Sequence, residues 1–136
     1  MNSLLTAIMT KTAGSALSAA VGGRIYLDEA PEGTEFPYVV FFVVSAVPEK
    51  TFTEEYADSL IQFSLFSTSQ SAAEITAMYA DLKSLFDECS LTLSGSTLVW
   101  MKLANLATNP EEITTRAGTV GCKHWAADFE IKTSLN

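Results

Sequence analysis

The sequence predicts an α+β protein in which one mainly antiparallel sheet carries two helices packed on one face. Apolar residues recur at helical spacing in two stretches and alternate, or run continuously, in several others. These stretches follow one another in the order helix, strands, helix, strands, which favours an antiparallel sheet with helices on one side. A chain of 136 residues with 48% hydrophobic content can bury one core, so we expect a single domain over residues 1–136.

The first helix is expected from Leu4 to about Ala20. Ser3 precedes the helical spacing and is a suitable N-cap. Gly22 and Gly23 follow it, and glycine commonly ends helices. The segment resembles a signal peptide in composition, but it has no positive start and Lys11 interrupts its apolar stretch. We therefore interpret it as an amphipathic helix of the mature chain.

Two strands are expected next. The continuous apolar run from Tyr38 to Ala46 predicts a strand buried on both faces, and hence a central one. It follows a short extended piece, Arg24 to Leu27, and a loop with two prolines. Pro48 to Thr51 is expected to form a turn. The alternation from Tyr56 to Ser67 then predicts a half-buried strand.

The second half of the chain predicts one helix and three strands. A capping-box pattern begins at Ser71, and apolar residues continue on one helical face to Cys89. Strands are expected at Ser90 to Ser96, at Thr97 to Leu106 and at Thr119 to Ser134. The polar stretch from Thr108 to Gly118 is expected to be a long loop.

Charge and hydropathy exclude two classes of partner. Eight Lys and Arg against 16 Asp and Glu give a net charge of −8, and the basic residues are spaced singly. Binding of DNA or RNA needs a basic stripe that displaces counterions, so no direct sequence-specific nucleic-acid binding is expected. The longest apolar run, Tyr38 to Val44, is shorter than the ~20 residues of a membrane helix, so no membrane partner is expected either.

No residue pattern predicts a catalytic, cofactor or metal site. His124 is the sole histidine, and its nearest acids on the same strand face are Asp128 and Glu130. Four positions along a strand span roughly 13 Å, too far for Asp128 to orient the imidazole. The hypothesis of a surface histidine at a strand start is therefore preferred to a catalytic role.

The cysteines and the acidic pairs have similarly simple interpretations. Cys89 and Cys122 match no metal spacing, and we expect two packed free thiols in a reducing cytoplasm. Glu54-Glu55 and Glu111-Glu112 lack the series of oxygen ligands at loop spacing that hard cations need. These carboxylates are expected to be solvated.

The Thr108 to Gly118 segment is the candidate partner-binding element. Loops of this length in compact domains are usually functional or disordered. One hypothesis is that it becomes ordered on contact with a partner; the other is a hairpin with no role. The candidate contact residues are Asn109, Glu111, Glu112, Thr115 and Arg116.

Several short motifs resemble a family of long-tailed bacteriophages. These are Val21-Gly-Gly-Arg-Ile-Tyr26, Ala30-Pro-Glu-Gly-Thr34 and Phe36-Pro-Tyr-Val-Val-Phe41. Together they resemble the tail-completion or tail-terminator family, in which an N-terminal helix precedes a glycine-arginine step, an "APxGT" loop and a "PYVVF" strand. The strand from Ser59 to Phe66 and the helix from Ser71 to Phe86 continue the resemblance in outline. No specific motif follows Ser90.

The resemblance implies a structural virion protein with an α+β fold and no enzyme activity. Such a subunit assembles in the host cytoplasm as a ring, typically a hexamer, on the end of the tail tube. There it stops polymerisation of the tube protein and presents a surface to the head connector. Another neck component is a related possibility. The alternative from a different class is a small ligand-binding or enzymatic domain with a cleft near His124, Trp125 and Asp128.

Overall fold

The computed structural model describes residues 2–50, 55–69, 71–115 and 118–135, and for residues 2, 110–115, 118–120 and 135 it describes the backbone alone. Its elements, in chain order, are α1 Asn2–Thr12, α2 Ala16–Ala20, β1 Ile25–Leu27, β2 Tyr38–Lys50, β3 Glu55–Ser67, α3 Ala73–Phe86, β4 Ser96–Thr115 and β5 Gly118–Leu135. The α+β class is confirmed. None of these helices is long and apolar enough to cross a bilayer.

The sheet has the strand order β1-β2-β3-β5-β4. β1 pairs with β2 in parallel, and the other three pairings are antiparallel. The prediction that the Tyr38 to Ala46 strand is central was wrong, because β3 occupies the centre. β2 lies beside the edge strand β1, which pairs only with Val39 to Phe41.

All three helices contribute to one buried cluster on one face of the sheet. Phe63 of β3 lies at the middle of this cluster. Its ring centroid is 5.3 Å from that of Phe41, 5.1 Å from that of Phe86 on α3 and 5.4 Å from that of Phe129 on β5. Such aromatic pairs contribute about 0.5–1.5 kcal/mol each beyond their burial, so this cluster fixes α3 against the central strands.

The predicted first helix is divided into α1 and α2. Gly14 between them has φ +74°, a left-handed conformation that stops α1. Ser15 then caps α2, its Oγ accepting a hydrogen bond from the Ser18 amide at 3.2 Å. α1 begins at Asn2, so Ser3 lies inside the helix and is not its cap. The described chain therefore has three helices, and periodicity missed the interruption because both segments place apolar residues on the same core.

The start of α3 also differs from the prediction. The helix begins at Ala73, and the side chain of Ala72 offers no cap. Ser71 Oγ accepts a hydrogen bond from the Ala73 amide at 3.1 Å. Glu74 does not complete a capping box, because its Oε1 accepts a hydrogen bond from Ser67 Oγ at 2.6 Å instead. A contact with β3 thus replaces the local one.

The turn predicted at Pro48 to Thr51 and the strand predicted at Ser90 to Ser96 were also wrong. β2 continues through Pro48, which pairs with Ala57, to Lys50; the predicted turn begins too early, and Thr51 lies outside the described residues. Residues 90–93 form no strand. Leu91 and Leu93 instead pack against the core as partly buried side chains, so their alternation reflects contact with the core and not pairing.

Candidate interaction surfaces

The segment predicted as a polar loop is the outer part of a β-hairpin. β4 and β5 remain paired from Asn109 opposite His124 to Thr115 opposite Gly118. The pairing of β3 with β5 ends at Lys123. Residues 111–115 and 118–122, the ribbon, therefore form two strands that pair only with each other in the described sheet. The prediction of a loop was wrong.

The strand signal in this segment was present but outweighed. Pro110 and the acidic pair suggested a loop. Every residue in 113–115 and 119–120, however, is β-branched. β-Branched residues favour strands, and β5 continues opposite them. An isolated two-stranded hairpin is marginally stable in water, so a ribbon of this kind gains stability when another surface covers it.

The structure brings four of the five candidate contact residues onto one strand of the hairpin. Asn109 is exposed beside the base of the ribbon. Glu111 pairs with Cys122, Glu112 with Gly121 and Thr115 with Gly118. Arg116 lies outside the described residues. These residues therefore share an extended arm, whatever partner it contacts.

An aromatic column crosses the sheet face that the helices leave open. We call this side, which carries Tyr38, Gln62, Phe66, His124 and Asp128, the helix-free face. Tyr38 and Phe66 stack with ring centroids 4.8 Å apart, and Phe66 and His124 stack at 4.4 Å. The column ends at the base of the ribbon. His124 thus lies within an aromatic stack and not alone on the surface.

The residues of the alternative catalytic cleft are not brought together. Trp125 lies on the opposite face of the sheet from His124 and contacts Tyr79 of α3, with ring centroids 5.9 Å apart. Asp128 Oδ1 accepts a hydrogen bond from Gln62 Nε2 at 2.9 Å. His124 and Asp128 share a strand face but stand four positions apart, roughly 13 Å. These positions do not bring the carboxylate of Asp128 to the His124 imidazole.

The two cysteines are packed and form no disulfide. Cys122 is buried, and Cys89 is partly buried with its Sγ 3.7 Å from Met101 Sδ. Burial raises the pKa of the Cys89 thiol, and nearby Lys11 only partly offsets this effect. A thiol with a raised pKa is a poor nucleophile at neutral pH. Among the described residues no three His, Cys, Asp or Glu side chains gather as a metal site would require.

A shallow cavity of about 390 Å³ lies on the helix-free face between β2 and β4. Val47 and Trp100 line its two sides, and Asp58 and Lys132 lie between them. Lys132 Nζ lies 3.3 Å from Glu49 Oε2 and 5.1 Å from the centre of the Tyr56 ring. The ammonium of Lys132 is therefore already paired within the chain.

Comparison with known proteins decides the family. The family model of the tail completion protein gp17 matches residues 4–132, nearly the whole chain. The chain belongs to the tail completion protein gp17 family. It is accordingly a phage tail-completion structural protein associated with the virion, and membership of the gp17 family implies a non-enzymatic role.

Solved structures agree with the fold of this gp17 family member. A chain from the structure "Virion of native gene transfer agent (GTA) particle" is similar with a TM-score of 0.76 and 19% identity, over 98% of this chain and 96% of that one. A second solved chain is similar with a TM-score of 0.55 and 12% identity, over 96% and 94%. No curated protein sequence matches. At these identities the two structures show the fold alone.

Proposed function

We propose that this protein is a tail terminator, a subunit of a ring that closes the end of the phage tail tube. The ring, a hexamer, stops polymerisation of the tube protein and joins the tail to the head connector. The observation that carries the proposal is the match of the tail completion protein gp17 family over residues 4–132. A single-domain subunit that binds copies of itself and two neighbours fits this role.

The composition is suited to assembly with proteins. Charged residues are only 18% of the chain, and mean hydropathy is +0.21, so little charge has to be desolvated at an interface. The net charge of −8 repels the DNA backbone, which would let DNA pass the ring without binding to it. Direct contact with DNA or a membrane is not part of the proposal.

The ribbon is proposed as the arm that contacts the neighbouring tail tube or connector protein. It extends past the last residue of β3 and has no third strand in the described sheet. Burial against a partner would supply the stability that a two-stranded ribbon lacks. The contact residues proposed are Asn109, Glu111, Glu112, Thr115 and Arg116.

Location follows from the same role. The protein is proposed to assemble in the cytoplasm of the host bacterium and to end in the virion tail. Cys89 and Cys122 form no disulfide, which suits a reducing compartment.

The first experiment is light scattering of the purified protein over a concentration series. The expected result is a discrete mass of six chains that does not grow with concentration, because a closed ring has no free ends. If the protein is a monomer, the series is repeated with isolated tail tubes. A protein that forms no ring alone or on the tubes would contradict the terminator proposal.

A shortened ribbon tests the arm separately. Residues 112–121 are replaced by Asn-Gly, which makes a tight turn between the paired residues Glu111 and Cys122. We expect binding to tail tubes to be lost while the circular dichroism spectrum of the subunit is kept. Unchanged binding would exclude the ribbon as the contact.

A pair of charge variants controls for net charge. Glu111→Gln with Glu112→Gln alters the ribbon, and Glu29→Gln with Glu32→Gln removes the same charge from exposed residues of the loop before β2. Only the first pair is expected to change tube binding. Equal effects would mean that overall charge, and not the ribbon, governs binding.

A further inference from the structure

Two outer segments of the sheet, on β4 and on the part of β2 that β1 does not cover, carry most of the exposed apolar residues. Five large hydrophobic side chains are exposed among the described residues, and three of them are Val44 at 48%, Val47 at 55% and Val99 at 47%. Val44 and Val47 lie on β2 beyond the part that β1 covers, and Val99 lies on β4. The exposed apolar surface is therefore concentrated toward the two opposite edges of one sheet.

Two of these valines are extra residues in β-bulges. Val44 stands between the pairs Val43 with Ile61 and Ser45 with Leu60. Val99 stands between the pairs Leu98 with Thr133 and Trp100 with Lys132. Bulges often protect sheet edges, but protective positions are usually charged, commonly by lysine. A valine at each bulge leaves apolar surface where protection would place charge.

Both outer segments are also free of charge. Residues 43–48 read VVSAVP and residues 96–101 read STLVWM, without one Asp, Glu, Lys or Arg. In a chain with a net charge of −8, two copies repel each other over most of their surface. These segments are places where two copies can approach without bringing like charges together.

The two segments lie at the same level of the sheet. Val47 pairs with Asp58, Asp58 pairs with Lys132, and Lys132 pairs with Trp100, the neighbour of Val99. Successive copies related by rotation about an axis along the strands would therefore meet at these residues without a shift along that axis. A contact without such a shift closes into a ring when its rotation is a whole fraction of a full turn, whereas a shift would build an open helix.

The backbone limits how the contact can form. Pro48 has no N–H, so it interrupts the donors of β2. On the other side, Met101 O accepts a hydrogen bond from the Glu88 amide at 2.8 Å and Leu103 N donates to Asp87 Oδ1 at 2.9 Å. A continuous hydrogen-bonded ladder between the two strands is thus blocked, and the contact has to be made by side chains.

We infer that the β2 side of one copy, through Val44 and Val47, packs against the β4 side of the next copy, through Val99. This inference rests on the proposed ring and names its subunit interface. The contact is heterologous, because different surfaces of the two copies meet, as a closed ring of more than two subunits requires.

Paired cysteines test the contact directly. The variant V47C/V99C is oxidised and separated by non-reducing electrophoresis. Disulfide formation requires Cβ atoms within about 4.5 Å, so we expect a ladder of covalent oligomers that ends at the ring and collapses with a reductant. V47C and V99C alone are the matched controls and also account for the native Cys89 and Cys122. Neither control should form the ladder.

The outcomes separate this inference from the proposed ring. A discrete oligomer by light scattering without a ladder beyond that of the controls would overturn the interface and leave the ring intact. A monomer both alone and on tail tubes would overturn the ring and the interface together.

A charge placed in the contact gives an independent measurement. Val47→Asp is expected to raise the concentration for half assembly by at least about tenfold, since a buried interface residue would carry an unpaired charge. Met9→Asp, at a residue 39% exposed on α1, is the control and should leave assembly unchanged. Both variants should keep the wild-type circular dichroism spectrum. Equal effects of the two substitutions would overturn the interface.

Discussion

At the scale of single residues, Arg24 explains the motif that links the N-terminal helices to β2. Its Nε donates a hydrogen bond to Pro37 O at 3.0 Å, and its Nη2 donates to Phe36 O at 3.5 Å. A Cβ added at Gly22 would lie 2.9 Å from Arg24 Nη1. Gly22 also has φ +60°, a left-handed conformation that favours glycine, which gives a physical reason for the glycine-arginine step.

Replacement of Arg24 tests this link. Arg24→Ala removes a charged donor from two backbone carbonyls, and the side chain is partly exposed, so we expect the free energy of unfolding to fall by about 1–2 kcal/mol. Arg24→Lys retains the charge without the planar donor geometry, so its free energy of unfolding should lie between those of Arg24→Ala and the wild type. Urea unfolding followed by circular dichroism measures the difference. Equal stability of Arg24→Ala and the wild type would contradict the role of this residue.

Cys89 predicts a pH effect on stability. Burial raises the pKa of this thiol in the folded state, so the folded protein holds the proton more tightly than the unfolded chain does. The contribution of this thiol to the free energy of unfolding is fully present below its pKa in the unfolded chain. That contribution is lost as the pH rises through its pKa in the folded protein. The unfolding free energy of the wild type relative to Cys89→Ala should be constant below about pH 8 and decrease above it. An increase in that difference above this pH would contradict the predicted direction of the effect.

At the scale of elements, the break between α1 and α2 depends on Gly14. Its φ of +74° is strained for other residues, although an added Cβ would meet no atom within 4 Å. Gly14→Ala should therefore lower the free energy of unfolding by about 1–2 kcal/mol from backbone strain alone. Gly121→Ala is the control, because Gly121 has no positive φ and equal space. Thermal unfolding compares them, and equal effects would contradict the explanation.

The predicted and observed elements differ where distant pairing decides. The helix over Ala73–Phe86 and the strand over Glu55–Ser67 follow from local spacing, because periodicity is a local signal. The ribbon does not, because its strand state depends on β5 pairing across Thr115 and Gly118. Residues 90–93 show the converse error, since alternation without a pairing partner gives no strand.

At the scale of the whole molecule, net charge and interface chemistry predict a salt effect. Copies with a net charge of −8 repel one another, and salt screens that repulsion. If the contact involves the uncharged segments 43–48 and 96–101, the assembled fraction should increase from about 0.02 M to about 0.5 M NaCl. Light scattering measures the fraction. A decrease with salt would indicate an interface of ion pairs.

The sequence alone determined the α+β class, the main helices and strands and the family resemblance that the gp17 match then bore out. It did so because spacing, glycines and short motifs are local features. Tertiary structure alone decided that β3 is central, that Trp125 and His124 lie on opposite faces, and that Val47 and Trp100 share a row. The reason is that strand order and register depend on pairing between residues far apart in the chain, which no local pattern records.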